Sequence, residues 1–223
     1  MYISWTYITD PIWNNEFSYQ ERIALWSIGE IFVPKLIQGN LENLEQGSEI
    51  VFEEIVNNKL VSCTWLKHFV QLEYKWIPVY IVDNHNHVLS FRNQEAKTVI
   101  HIDQHADTKP NENKLQGNIE SFVNEKTNVG NFISAALHNK IIDEVIQVRT
   151  DYALKNILNS VFWAMNYIVD IDVDFRVDKE ITQEEIHIIR ELIKKAKAVT
   201  IATSPYFIDQ DKAIEIIRKI LAV

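Results

Sequence analysis

The chain has 223 residues, 47% of them hydrophobic, which suits one domain with a sizeable core. Its formal net charge of −9 argues against nonspecific nucleic-acid binding and favours a cationic partner. One cysteine, Cys63, excludes an intrachain disulfide and points to a cytoplasmic setting; the start lacks the basic and apolar pattern of a signal peptide and no apolar run is long enough for a membrane span, so neither is expected.

Residues 1–20 are aromatic and irregular, with Trp5, Tyr7, Trp13, Phe17 and Tyr19 either in the core, the favoured reading, or lining a binding surface. Apolar residues recur at helical spacing from Tyr19 to Leu36, which predicts a helix ending near Pro34. Asn40 to Asn58 is polar, with a short helix or strand around Ile50–Ile55. Leu60 to Trp76 is ambiguous, although Trp65, Phe69 and Leu72 fit a helix.

Pro78 precedes an apolar strand, Val79–Val82, which runs into Asp83, Asn84, His85, Asn86 and His87. A second buried strand begins at Val99 and ends in Asp103, His105 and Asp107, spaced two apart. In an extended chain such residues share one side. Buried carboxylates are costly unless partnered, and a divalent metal suits this oxygen and nitrogen set. The alternative is a solvated loop. Thr108 to Thr127 then reads as a loop, either a substrate wall or a plain connection.

Gly130 to Asn139 looks like a short helix, Glu144–Val148 a strand and Asp151–Trp163 a helix. Residues 167–175 alternate apolar and acidic, placing Asp170, Asp172 and Asp174 on one face. Either that face is solvated or a cation relieves its repulsion. Thr182 and Glu185 form a capping box opening a helix, in which His187 is a surface or packing residue. Ala198–Thr203 is a strand, and Asp209 caps a last helix whose Ile214, Ile217 and Leu221 face inward. Strands alternating with helices predict an α/β fold with a mainly parallel sheet. Three strands ending in ligand-type residues place a site at their carboxyl ends.

These motifs resemble the arginase–deacetylase superfamily. Asp103-Gln104-His105-Ala106-Asp107 is similar to the Asp-Ala-His-x-Asp motif of arginases, and Asp172-Val173-Asp174 to their Asp-Val-Asp. Val82-Asp83-Asn84-His85 is similar to the strand end carrying Gly-Gly-Asp-His, and Gly130-Asn131 to the Gly-Asn of their substrate loop. Together with Thr203-Ser204-Pro205, the set resembles the small peptide arginases, which convert arginine side chains of ribosomal peptides to ornithine. The resemblance covers residues 78–223; residues 1–77 carry no matching motif.

The resemblance implies a single arginase-like domain, a three-layer sandwich, with two Mn2+ ions. One ion would take His85, Asp103, Asp107 and Asp172, and the other Asp103, His105, Asp172 and Asp174, with Asp103 and Asp172 bridging. Two metals would supply hydroxide near neutral pH to attack a guanidinium carbon, giving ornithine and urea. The implied partner is an arginine-containing precursor peptide, with no nucleic acid and no membrane; the sequence leaves a homo-oligomer open.

The chain departs from the pattern at two places. Ile133 stands where arginases carry a His, so a proton donor is sought among His87, His101 and His138, with His87 favoured for its proximity to His85. Arginases hold the guanidinium with a Glu on a late strand, and the corresponding residues here, Ile201-Ala202-Thr203-Ser204-Pro205, include no carboxylate, so Asp83 or Asp209 is expected to serve. The competing functions are a deacetylase-like amidohydrolase, for which Asp at 174 is unusual, a small-molecule ureohydrolase, and a non-catalytic metal-stabilised peptide-binding module.

Overall fold

The fold was obtained as a computed structural model, which describes residues 6–8, 31–56, 58–91, 96–161 and 166–222. Eleven strands are described: β1 (Thr6–Ile8), β2 (Ile31–Val33), β3 (Leu36–Gln38), β4 (Gln46–Val56), β5 (Lys59–Leu66), β6 (Phe69–Tyr74), β7 (Ile77–Val82), β8 (Thr98–Ile102), β9 (Glu144–Val148), β10 (Tyr167–Asp172) and β11 (Ala198–Ala202). The described α-helices are α1 (Ile119–Lys126), α2 (Phe132–His138), α3 (Asp151–Ser160), α4 (Gln183–Ile193) and α5 (Gln210–Leu221).

Seven strands form one sheet in the order β3-β6-β7-β11-β10-β8-β9. From β7 to β9 all neighbours run parallel, while β6 is antiparallel to β7. Every residue of β10 and β11 is buried, as expected of central parallel strands covered on both faces. On one face Ile81, Ile100, Ile171 and Ile201 pack with Leu154 of α3, Ile189 of α4 and Ile217 of α5. On the other, Val82, Val99 and Ala202 pack with Val123 of α1 and Phe132 and Ile133 of α2. The result is a single-domain sandwich of helices, sheet and helices. Among the described residues no helix is long and apolar enough to cross a membrane.

The connectivity determines where a site forms. The chain leaves β8 for β9 on one side, but leaves β10 for β11 on the other. This reversal opens a crevice between the carboxyl ends of β8 and β10, the place where open α/β sheets bind ligands.

Several local expectations change. Most of the helix predicted over Tyr19–Leu36 lies outside the described residues, and its last part forms β2 and β3 instead. The aromatics expected in the core at residues 1–20 also fall outside the description, apart from the backbone of β1. Residues 60–76 form strands β5 and β6, not a helix. Trp65, Phe69 and Leu72 match a helical period only because Lys67 and His68 turn the chain between the strands. The segment around Ile50–Ile55 is a strand, paired with β5 as a hairpin. The loop predicted over 108–127 is irregular only to Asn118, whose Oδ1 accepts from the Ser121 amide at 2.8 Å and starts α1.

Candidate metal centre

The ends of β7, β8 and β10 deliver the residues of the crevice. After β7 the chain passes Asp83 and Asn84 and enters a 3-10 turn, His85–Phe91. Asp83 anchors this exit. Its carboxylate accepts from the Leu66 amide (3.1 Å), Thr203 Oγ1 (3.0 Å) and Gln210 Nε2 (2.9 Å), joining β5, β11 and α5 beneath the site. After β8 the chain bends through Asp103–His105, with the His105 amide donating to Asp103 Oδ1 at 2.6 Å. Asp107 takes a left-handed conformation (φ 52°), and its carbonyl accepts from the Ile133 amide at the start of α2. The strand β10 ends at Asp172, and a 3-10 turn, Val173–Arg176, carries Asp174.

These segments bring His85, His101, Asp103, Asp107, Asp172 and Asp174 together below the surface, with His105 half-exposed above them. His85 Nδ1 lies 3.3 Å from Asp103 Oδ2, 3.3 Å from Asp107 Oδ2 and 3.1 Å from Asp172 Oδ2. His101 Nε2 lies 3.4 Å from Asp103 Oδ2. Across the cluster, His105 Nδ1 is 3.3 Å from both Asp103 Oδ1 and Asp174 Oδ2. Two groups of donors result, each with its ligand atoms within 4.8 Å of one another: His85, His101, Asp103 and Asp107, and Asp103, His105 and Asp174. Asp103 belongs to both.

The donor set fits a metal. His85 Nδ1, His101 Nε2, Asp103 Oδ2 and both carboxylate oxygens of Asp174 are buried without a hydrogen-bond partner. Such atoms carry a desolvation penalty that a cation removes. A buried His/Asp group that could hold a metal ion is therefore present.

The electrostatics agree. Burial alone would push the His85 imidazole down, but Asp170 and Asp172, with Asp103 and Asp107, hold it well above its ordinary value. His101 is raised to about 9, because Asp103 and Asp170 outweigh its burial. His105 is raised to about 11 by Asp103 and Asp174. Burial and the neighbouring Asp172 lift the Asp174 carboxyl to about 8. The protein alone thus holds protons where a cation would otherwise balance the charge, and metal binding would release them.

Burial removes one reading of the acidic stretch. Asp170 and Asp174 are 0% exposed and Asp172 4%, so this is no solvated face. The alternation also stops early, because Asp174 sits on the 3-10 turn and not on the strand. The carboxylates of Asp103 and Asp107 likewise converge through a bend and a left-handed residue, not through an extended chain.

Three expected catalytic residues are not brought to the cluster. His87 packs on Phe69 (ring centroids 5.5 Å) among Val88, Leu89 and Phe91, and burial pushes its imidazole down to about 3. It is neutral at physiological pH and unsuited to donate a proton. The Asp83 carboxylate is occupied by its three donors. Asp209 is exposed and accepts from the Lys212 amide at 3.1 Å as the cap of α5. His138 is the last residue of α2 and is exposed, and Ile133 belongs to the apolar core.

Two supports lie in motif stretches whose residues the sequence reading gave no role. Ser204, in a left-handed conformation (φ 48°), donates from Oγ to Asp172 Oδ2 at 2.7 Å, which gives the Thr203-Ser204-Pro205 turn a structural purpose. Phe132, following Gly130-Asn131, lies against His85 and His101 with centroids 4.8 and 6.0 Å away. A cavity of about 240 Å3 opens above the cluster. Asp107, Asp172 and His105 reach it from below, Phe207 and Val129 give it apolar wall, and Lys109 and Arg149 stand at it.

Fold and site together define a three-layer α/β protein with a buried His/Asp group suited to a metal. Comparison of the chain with models of known families and with curated proteins returned no match.

Proposed function

We propose that the protein is a metal-dependent hydrolase that converts arginine side chains within a peptide to ornithine, releasing urea. The observation that carries this reading is the pair of donor groups sharing Asp103 at the carboxyl edge of the sheet, with unpartnered ligand atoms in each. The motif resemblance of residues 78–223 to peptide arginases supplies the chemistry, and two manganese ions are the proposed cofactors. When bound, such a pair lowers the pKa of a shared water and makes it nucleophilic near neutral pH.

The chain's own residues would act as follows. Asp103, His105 and Asp174, and His85, Asp103, Asp107 and Asp172, would hold the ions. Ser204 would keep the Asp172 carboxylate in place, and Phe132 would shield the imidazoles from water. In the cavity Phe207 and Val129 would face the methylenes of an arginine side chain, while its cationic end lies toward Asp107 and Asp172. Lys109 and Arg149 at the same cavity suit carbonyl and carboxylate groups of a longer substrate, which favours a peptide over a small cation alone. Hydrolysis would join the water oxygen to the guanidinium carbon and break the bond from that carbon to Nε, and both protons of the water would end on Nε, giving the ornithine ammonium group and neutral urea.

The test is to incubate manganese-loaded protein with arginine-containing peptides and with free arginine, measuring urea and peptide mass. Urea with ornithine-containing peptide supports the proposal. Turnover of free arginine alone moves the reading to a small-molecule ureohydrolase. Acetate from acetyl-lysine peptides without urea moves it to the deacetylase-like class, and metal binding with no turnover of any substrate to a binding module.

A further inference from the structure

The first four residues of the cluster do not explain Asp170. It is completely buried in the middle of β10, one row below the ligands, and the register places His101 beside it on β8 and Thr200 beside it on β11. Its Oδ2 receives two imidazoles: His101 Nδ1 at 2.9 Å and His85 Nε2 at 3.1 Å. Its Oδ1 accepts from Thr200 Oγ1 at 2.5 Å. A carboxylate cannot donate, so each imidazole must present an N–H to it. In the neutral form that metal binding requires, the other nitrogen of each ring, His85 Nδ1 and His101 Nε2, is then the one that carries the lone pair. Both point at the same place, toward Asp103 Oδ2 (3.3 and 3.4 Å) and Asp107 Oδ2 (3.3 and 3.8 Å), and neither has a hydrogen-bond partner. The rings are stacked with centroids 5.1 Å apart and 19° between planes, so they approach that point side by side.

We infer that Asp170 is a positioning residue that sets the tautomers of both His85 and His101, and that His101 is thereby a ligand of the inner metal and not a proton donor. The inference rests on the metal reading of the site and adds a nitrogen ligand to the set that the motifs imply. It makes the two positions unequal. The inner one has two imidazoles with Asp103, Asp107 and Asp172 nearby; the outer one has His105 with Asp103 and Asp174. Two imidazoles favour a transition-metal ion over magnesium or calcium, and a carboxylate behind a ligating histidine strengthens and orients it. The inner position therefore fills first.

The test is calorimetric titration of the metal-free protein with Mn2+, paired with Co2+ titration followed by visible absorption. Wild-type protein is expected to bind in two steps of different affinity. His101→Asn and Asp170→Asn should each weaken the tighter step by about 10–100-fold and change the Co2+ spectrum of that step, leaving the weaker step in place. Thr200→Val is the milder variant should Asp170→Asn not fold. It keeps the carboxylate but removes its third partner, and a smaller loss confined to the tighter step is expected. Circular dichroism of the metal-free proteins checks folding. A His101→Asn protein with wild-type affinities and an unchanged Co2+ spectrum would overturn the assignment of His101. Equal loss of both steps in Asp170→Asn would overturn the local role of Asp170. Wild-type protein that binds neither ion would instead overturn the metal reading itself.

Discussion

Ser204 links the geometry of the site to a measurable energy. Its hydroxyl donates to Asp172 Oδ2 at 2.7 Å while its backbone sits at φ 48°, a region that side-chain-bearing residues seldom occupy. Ser204→Ala removes the hydrogen bond and keeps the strain. A buried hydrogen bond to a charged group is worth about 1.5–3 kcal/mol, so the metal-free variant should lose about that much stability. Outer-shell partners of metal ligands contribute about 10–100-fold in affinity, so ions held through Asp172 should bind more weakly by that factor. Ser204→Gly loses the same hydrogen bond but relieves the left-handed strain. It should recover up to about 1 kcal/mol of folding stability relative to Ala while binding metal equally weakly. Denaturant unfolding of the metal-free proteins gives the first quantity, and titration with Mn2+ the second. An alanine variant with wild-type affinity would refute the link between Ser204 and the centre. A glycine variant less stable than alanine would refute the strain argument.

The remaining predictions concern other parts of the framework. Asp103→Ala should abolish binding of both ions, because Asp103 belongs to both donor groups, whereas Asp174→Ala should weaken mainly the outer ion; elemental analysis after dialysis separates the two outcomes. Glu185→Ala should remove the buried partner of Arg176, held at 2.5 and 3.2 Å, and leave it only the half-exposed Asp151 at 3.2 Å, lowering stability by about 3 kcal/mol in a denaturant titration. Because Arg176 ends the turn that carries Asp174, the same variant should also weaken the outer ion.

Much of this architecture is visible in the residues themselves. The strands β8 to β11 are short β-branched runs, and α4 announces its start through Thr182 and Glu185, whose side chains exchange hydrogen bonds with each other's backbone. The six motif residues do converge. What local pattern could not supply is the path of the backbone beyond each strand end. Asp174 lies on a 3-10 turn and Asp107 on a left-handed residue, and neither conformation has a period to read. The strands β5 and β6 were obscured because a two-residue turn put Trp65, Phe69 and Leu72 at helical intervals. His101 carried a usable signal, since the alternation that groups Asp103 with His105 reaches back two residues to His101. Its role emerges only with Asp170 beside it, which depends on the pairing of β8 with β10. Proximity in sequence misled in the case of His87. Two residues beyond His85, the 3-10 turn directs it into the apolar layer against Phe69.

The central claim is that the cluster around Asp103 is a two-ion metal centre. The most direct test is native mass spectrometry and elemental analysis of the full chain after loading with Mn2+ and removal of excess ion. The account predicts two divalent ions per chain in the wild type and none in Asp103→Ala. Wild-type protein that retains no ion, or an Asp103→Ala protein that retains both, would contradict it.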